Sequence, residues 1–151
     1  AEKNLKKVAT INNIDDSRII FAKHCEIESH IGRHKFADLF LDTFNYNAHT
    51  TASDALLSGI PLVTKIGNSF SARVSASLLT SLGVKELITY SNEEYEELAL
   101  ELAKNPTLLS YYKNKITNGI NNSSLFDSSQ FSKDLEKLYL DAYNRAKSNI
   151  D

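Results

Sequence analysis

Apolar positions along this chain follow two alternating rhythms: short unbroken runs of leucine and β-branched residues, and longer stretches with apolar side chains three or four apart. The short runs at Arg18–Phe21, Leu39–Leu41, Leu62–Thr64 and Glu86–Thr89 predict strands buried in a sheet. Between and after them lie helical stripes. Leu5, Val8 and Ala9 mark a helix over 1–11, closed by the polar break at 12–16, and Ile27 with Ile31 marks another over 26–36. Val74, Leu78, Leu79 and Leu82 share one face of a helix over 70–82 that Gly83 stops. Ser91 and Glu94 form a capping box ahead of Tyr95, Leu98, Ala99 and Leu102, a stripe ending at Asn105. Pro106 suits the first position of the next helix, whose apolar residues Leu108, Leu109, Tyr112 and Ile116 run towards a stop near Gly119. After a polar loop at 121–129, the span 130–147 is strongly amphipathic, with Phe131, Leu135, Leu138, Tyr139 and Ala142 on one stripe. Strands alternating with helices predict an α/β, doubly wound, mostly parallel sheet in a single domain over 1–151.

The densest stretch is 39–63. Its apolar run ends in Asp42 and Thr43, a polar loop leads through His49 to Thr50 and Thr51, and a short helical pattern closes at Gly59 before Pro61. Thr51 followed by Asp54 reads as a capping box, and Gly59 as the helix stop. In an open parallel sheet, a loop that leaves a strand's carboxyl end and feeds a helix N-terminus is a ready place for a phosphate-bearing ligand. On residue type alone, His49 also fits a loop histidine bonded to a neighbouring carbonyl, and the basic cluster His30, Arg33, His34 and Lys35 fits a solvated helix face.

The run Asn47-Ala48-His49-Thr50-Thr51-Ala52-Ser53-Asp54, with Leu57-Ser58-Gly59-Ile60-Pro61-Leu62-Val63-Thr64 behind it and Ser71-Ala72-Arg73-Val74-Ser75-Ala76-Ser77 further on, resembles the carboxy-terminal catalytic region of the O-linked N-acetylglucosamine transferases. The likeness runs from about Arg18 to Tyr143. It implies the Rossmann-like second half of a GT-B glycosyltransferase, short of two strands, that holds a UDP-sugar donor and serves transfer of N-acetylglucosamine to serine or threonine of a protein acceptor. By the same resemblance the backbone at His24 and Cys25 bonds the base edge, His30 packs on the base with Arg33 nearby, His49, Thr50 and Thr51 meet the diphosphate, and Asp54 lies near the ribose as well as at the helix start. Where the family commonly carries a lysine, this chain has Ile27, which removes one contact to the nucleotide. Arg73, a lone arginine one turn into its helix, is read as structural.

Sugar transfer from a nucleotide diphosphate builds negative charge on the leaving group, and helix amides, hydroxyls and the helix dipole answer that charge without a metal. No cofactor and no metal are expected. The histidines lack metal-binding spacing, and the adjacent Asp15 and Asp16 fit a turn-capping role. The resemblance places proton transfer and a diphosphate-steadying lysine upstream of these residues, so the chain, which starts at Ala1 without methionine, is expected to be a fragment inactive alone. A strand at 18–21 without its neighbour would leave an unpaired edge, so the fragment is expected either to rearrange that strand or to complete its sheet with a second copy as a homodimer.

Composition narrows the alternatives. With 17 basic and 19 acidic side chains the net charge is -2, so no global field recruits nucleic acid or an anionic membrane. Cys25 is the lone cysteine, which fits a reducing, cytoplasmic setting. There is no signal-peptide pattern and no apolar run of about 18 residues, and no internal repeat of about 20 to 50 residues. A phospho-acceptor signalling domain would need its hydroxyl and lysine on two successive strands, whereas Thr64 and Lys65 are adjacent on one. A non-catalytic interaction domain derived from a transferase remains the other reading.

Overall fold

The computed structural model describes residues 1–148; the last three residues of the expected domain over 1–151 lie outside the described residues. The chain gathers into two compact units, 1–32 and 33 onward.

In the first unit, helix α1 covers Glu2–Ile11 and buries Ala9. Asn13 adopts a left-handed φ of 57°, which turns the chain so that the Ile14 amide donates to the Ala9 carbonyl at 2.9 Å. Asp15 then caps a 3-10 turn at Asp16–Arg18, its carboxylate accepting from the Ser17 amide at 2.9 Å, which is the capping role its sequence context predicts. The strand expected at Arg18–Phe21 does not form. Arg18 ends the 3-10 turn, residues 19–26 have no regular structure, and Ile20 is 86% exposed. A strand exists only where its amides and carbonyls find a ladder partner, and the sheet includes none of these residues. The unpaired edge expected there is therefore absent. Helix α2 spans Ile27–Arg33, its last residue falling in the second unit.

The second unit opens with a 3-10 turn at His34–Phe36. Its sheet is parallel, in the order β1 (Phe40–Leu41), β2 (Leu62–Lys65), β3 (Ile88–Thr89), with Phe40 opposite Leu62 and Thr64 opposite Ile88. The third strand is shorter than its apolar run because Lys85–Leu87 coil into a 3-10 turn first. Helices α3 (Thr50–Leu57), α4 (Val74–Ser81), α5 (Asn92–Lys104) and α6 (Pro106–Asn122) pack around this sheet, and Leu56, Leu62, Leu79, Leu87, Leu102 and Ile116 are wholly buried in the shared core. Each such side chain contributes about 1.5–3 kcal/mol by leaving water.

Several sequence signals carry through. Gly59 (φ 78°) and Gly83 (φ 74°) end α3 and α4 in the left-handed conformation. Ser91 accepts from the Glu94 amide at 3.0 Å, and Asn105 caps the helix that Pro106 opens. Gly119 is a correction: α6 runs through it to Asn122, and a methyl group there would collide with the Leu82 carbonyl oxygen. It is a contact point between α6 and the end of α4. After a 3-10 turn at Ser124–Phe126 comes helix α7, Ser128–Ser148, whose Phe131, Leu138, Tyr139 and Tyr143 are all exposed.

Candidate functional site

The carboxyl ends of the three strands carry a row of buried polar groups. Asp42, which ends the β1 run, is 3% exposed. Its Oδ1 accepts from the amides of Thr43 (2.8 Å) and Ala48 (2.7 Å), and its Oδ2 from the Thr64 hydroxyl of β2 at 2.7 Å. The Thr89 hydroxyl of β3 donates in turn to the Thr64 carbonyl at 3.0 Å. A carboxylate taken out of water needs donors on its lone pairs, and here the loop's own amides supply them. Tyr95 of α5 donates to the Asp42 carbonyl at 3.0 Å, and its phenol is pushed up to about 12, first by burial and then by the Asp42 charge. Phe44 stands edge-on to Tyr95 at 4.9 Å, with the Lys65 ammonium 4.5 Å from the Phe44 ring centre.

The loop is held from a second side by residues 71–75. The Ser71 carbonyl accepts from the Asn47 amide at 2.8 Å, and His49 Nε2 lies 3.3 Å from the same oxygen. A carbonyl only accepts, so that nitrogen carries a proton. The Ser75 hydroxyl donates to the Ala48 carbonyl at 3.1 Å, and the wholly buried Asn47 donates from Nδ2 to Thr43 at 2.7 Å. Asn47 Oδ1 has no hydrogen-bond partner among the described residues, a penalty of about 1–3 kcal/mol set against the loop's other bonds. Tyr46 stacks on the His49 ring at 4.6 Å and 15°, and Phe70 meets it edge-on at 6.4 Å.

This scaffold delivers the chain into α3 with His49 as the residue before the first helical position, and the His49 side chain makes no capping bond. The expected capping box is thus displaced. The helix starts at Thr50, so Thr51 already sits inside the first turn and Asp54 lies beyond the third position that a box requires. In consequence the first-turn amides of Thr50, Thr51 and Ala52 lack intrahelical acceptors, and the Thr50 and Thr51 side chains are exposed beside them. The first intrahelical amide bond runs from Ser53 to the His49 carbonyl at 3.1 Å.

Of the residues singled out in the sequence, His49, Thr50 and Thr51 come together at the start of α3 and Asp54 lies one turn further on, with His49 and Asp54 half-buried. His24 (exposed), Cys25 and His30 (both half-buried) belong to the first unit, and Arg33, half-buried, begins the second. The solvated-face reading of the basic cluster fails at His34, which is 8% exposed; Lys35 alone of that group is fully open. Arg73 is structural as expected, though its partner is a carbonyl: it donates to Gly67 at 2.9 Å. The residue that sequence reasoning missed is Asp42. Its signal was present, an aspartate followed by threonine at a strand's carboxyl end ahead of a polar loop, a pattern that favours side-chain bonds to local amides.

An open parallel sheet flanked by helices, with the loop after β1 feeding the start of α3, makes a Rossmann-like α/β unit. The model of Glycosyl transferase family 41 matches residues 1–135, and the chain belongs to that family. It is 34% identical over 149 residues to the UDP-N-acetylglucosamine-peptide N-acetylglucosaminyltransferase of Caenorhabditis elegans, covering 99% of this chain and 13% of that one. A probable enzyme of the same name from Arabidopsis thaliana, SEC, is 33% identical over 144 residues, or 95% of this chain and 15% of its own length. In three dimensions the chain resembles a lysine-to-methionine mutant of the Thermobaculum terrenum O-GlcNAc transferase, with a TM-score of 0.84 at 26% identity over 91% of this chain and 26% of that one. The fold is therefore that of the Rossmann-like portion of a GT-B glycosyltransferase, and the chain spans 13–15% of the length of these curated relatives. Among the described residues no helix is long and apolar enough to cross a membrane, and no group of three or more His, Cys, Asp or Glu side chains gathers as a metal site.

Proposed function

We propose that this chain is the donor-binding portion of a UDP-sugar glycosyltransferase that moves N-acetylglucosamine onto serine or threonine of a protein acceptor, and that the turn at His49–Thr51 holds the donor's diphosphate. The observation that carries the reading is the uncapped start of α3 with two exposed threonine hydroxyls beside it. Its amides, the hydroxyls and the helix dipole together favour an anion. When the bond from the sugar's anomeric carbon to the diphosphate breaks, negative charge accumulates on the departing oxygen, and donors already fixed in place lower the barrier more than donors that must be recruited. Asp42, Ser71 and Ser75 supply that fixity by holding the loop. The activity for which the relatives are named supports the choice of sugar and acceptor. The 151-residue chain alone binds donor and does not turn it over.

Thermal unfolding with uridine diphosphate tests the binding role. At a hundredfold excess over Kd a ligand specific for the folded form adds about 2.7 kcal/mol, which for a chain of this size raises Tm by roughly 5–10 °C. Replacing Thr50 and Thr51 together by alanine, both exposed, should cut that rise at fixed ligand while leaving the ligand-free Tm within about 2 °C. Absence of any rise with uridine diphosphate at millimolar concentration refutes donor binding. Sugar transfer to an acceptor peptide by this chain alone would refute the inactivity.

A further inference from the structure

The second unit contains an open cleft of about 750 Å³ that none of the residues of the His49–Thr51 turn lines. Its floor is apolar, made by Ile66 after β2, Ile88 of β3, and Val74 and Leu78 of α4. Two cations stand on its border, Arg73 and Lys85, and among the described residues no carboxylate lines it. That sign runs against the chain's net charge of -2. Of the nearby carboxylates, Glu86 pairs with Lys115, and Glu94 is held on the Tyr90 amide at 2.7 Å. Arg73 donates a hydrogen bond to the neutral Gly67 carbonyl, so its charge meets no acid there. Two aromatic rings that the core does not use, Phe70 (83% exposed) and Tyr90 (75% exposed), stand at the cleft.

We propose that this cleft is a docking groove for a short acidic, apolar peptide segment of a partner protein. The volume falls within the range of sites that enclose a compact ligand. A floor of aliphatic side chains takes leucine- or phenylalanine-sized groups, the unopposed Arg73 and Lys85 select glutamate or aspartate between them, and exposed aromatics beside an apolar depression are the residues that anchor partner segments. The backbone beside the cleft rejects the commonest alternative, addition of a strand to β3. The Ile88 amide is already bonded to the Lys85 carbonyl and the Tyr90 amide to Glu94, so the outer edge of β3 offers too few free groups to template a strand. Recognition must therefore run through side chains.

The test uses the whole chain and a fluorescein-labelled hexapeptide alternating leucine with glutamate, followed by anisotropy and by chemical-shift mapping. Binding is expected with shifts at Ile66, Val74, Leu78 and Ile88. Lys85→Glu, an exposed site, should weaken it at least tenfold with Tm unchanged, and raising salt should weaken it further. Ser77→Tyr, which fills the cleft from the exposed side of α4, should abolish it. Three results would overturn the proposal: equal binding by the analogue carrying lysine in place of glutamate, shifts that map away from those residues, or no binding at millimolar peptide. Displacement of the peptide by oleate at lower concentration than by unlabelled peptide would overturn it in favour of an anionic amphiphile.

Discussion

The β1 run with the loop after it and the segment at 19–26, which holds most of the apolar run at 18–21, are built in opposite ways. At β1 the Phe40 and Asp42 amides bond the Pro61 and Val63 carbonyls of the neighbouring strand, and the next residues are tied to Asp42, Thr64, Ser71 and Ser75. At 19–26 the backbone joins no ladder and Ile20 faces water. The difference shows what turns an apolar run into a strand. Hydrophobicity makes burial favourable, but a strand's backbone polar groups also need a neighbouring strand, and here only the β1 run has one.

The comparison can be broken most severely at Asp42. Changing Asp42→Ala strands the Thr43 and Ala48 amides and the Thr64 hydroxyl, and should cost roughly 3 kcal/mol in urea unfolding. A loss below about 1 kcal/mol would mean the loop is not held by this carboxylate. Next in size is Thr64→Val, which keeps shape but removes one donor to Asp42 and should cost about 1–2 kcal/mol. Tyr95→Phe should cost about 1 kcal/mol near neutrality and carries a pH signature besides. Because the folded phenol titrates at about 12 against 10.0 when free, the unfolded chain releases its proton first as pH rises. The contribution of Tyr95 is thus complete below pH 10 and is lost between 10 and 12, and the phenylalanine variant should lack that part of the decline. Smallest of all, Ile20→Ala should change stability by less than about 0.5 kcal/mol, as for an exposed site outside any ladder. A cost near that of a core leucine would show that 19–26 is held after all.

Much of the second unit was legible because its signals are local. Gly59, Gly83, Ser91 and Pro106 each require a particular backbone geometry or cap, and each sits where that requirement predicts. The start of α3 was legible in outline, since His49, Thr50 and Thr51 meet at its N-terminus with Asp54 one turn further on. Its register was not. Thr51 and Asp54 match a capping pattern, but the bonds from Asp42 and Ser71 fix the loop so that the helix begins at Thr50. Those bonds join residues far apart in the sequence, and no short-range rule encodes them. The same holds for Gly119, whose role is set by a carbonyl of Leu82, and for Arg18–Phe21, where the missing quantity was a neighbouring strand.

One oxygen atom has a wider consequence. The Ser71 carbonyl receives both the Asn47 amide and the His49 ring, so the peptide plane between Ser71 and Ala72 cannot rotate without releasing the two together. The connections that follow β1 and β2 thus share a hinge pin. Isotope exchange at the Asn47 amide and reorientation of the imidazole should occur as a single concerted opening.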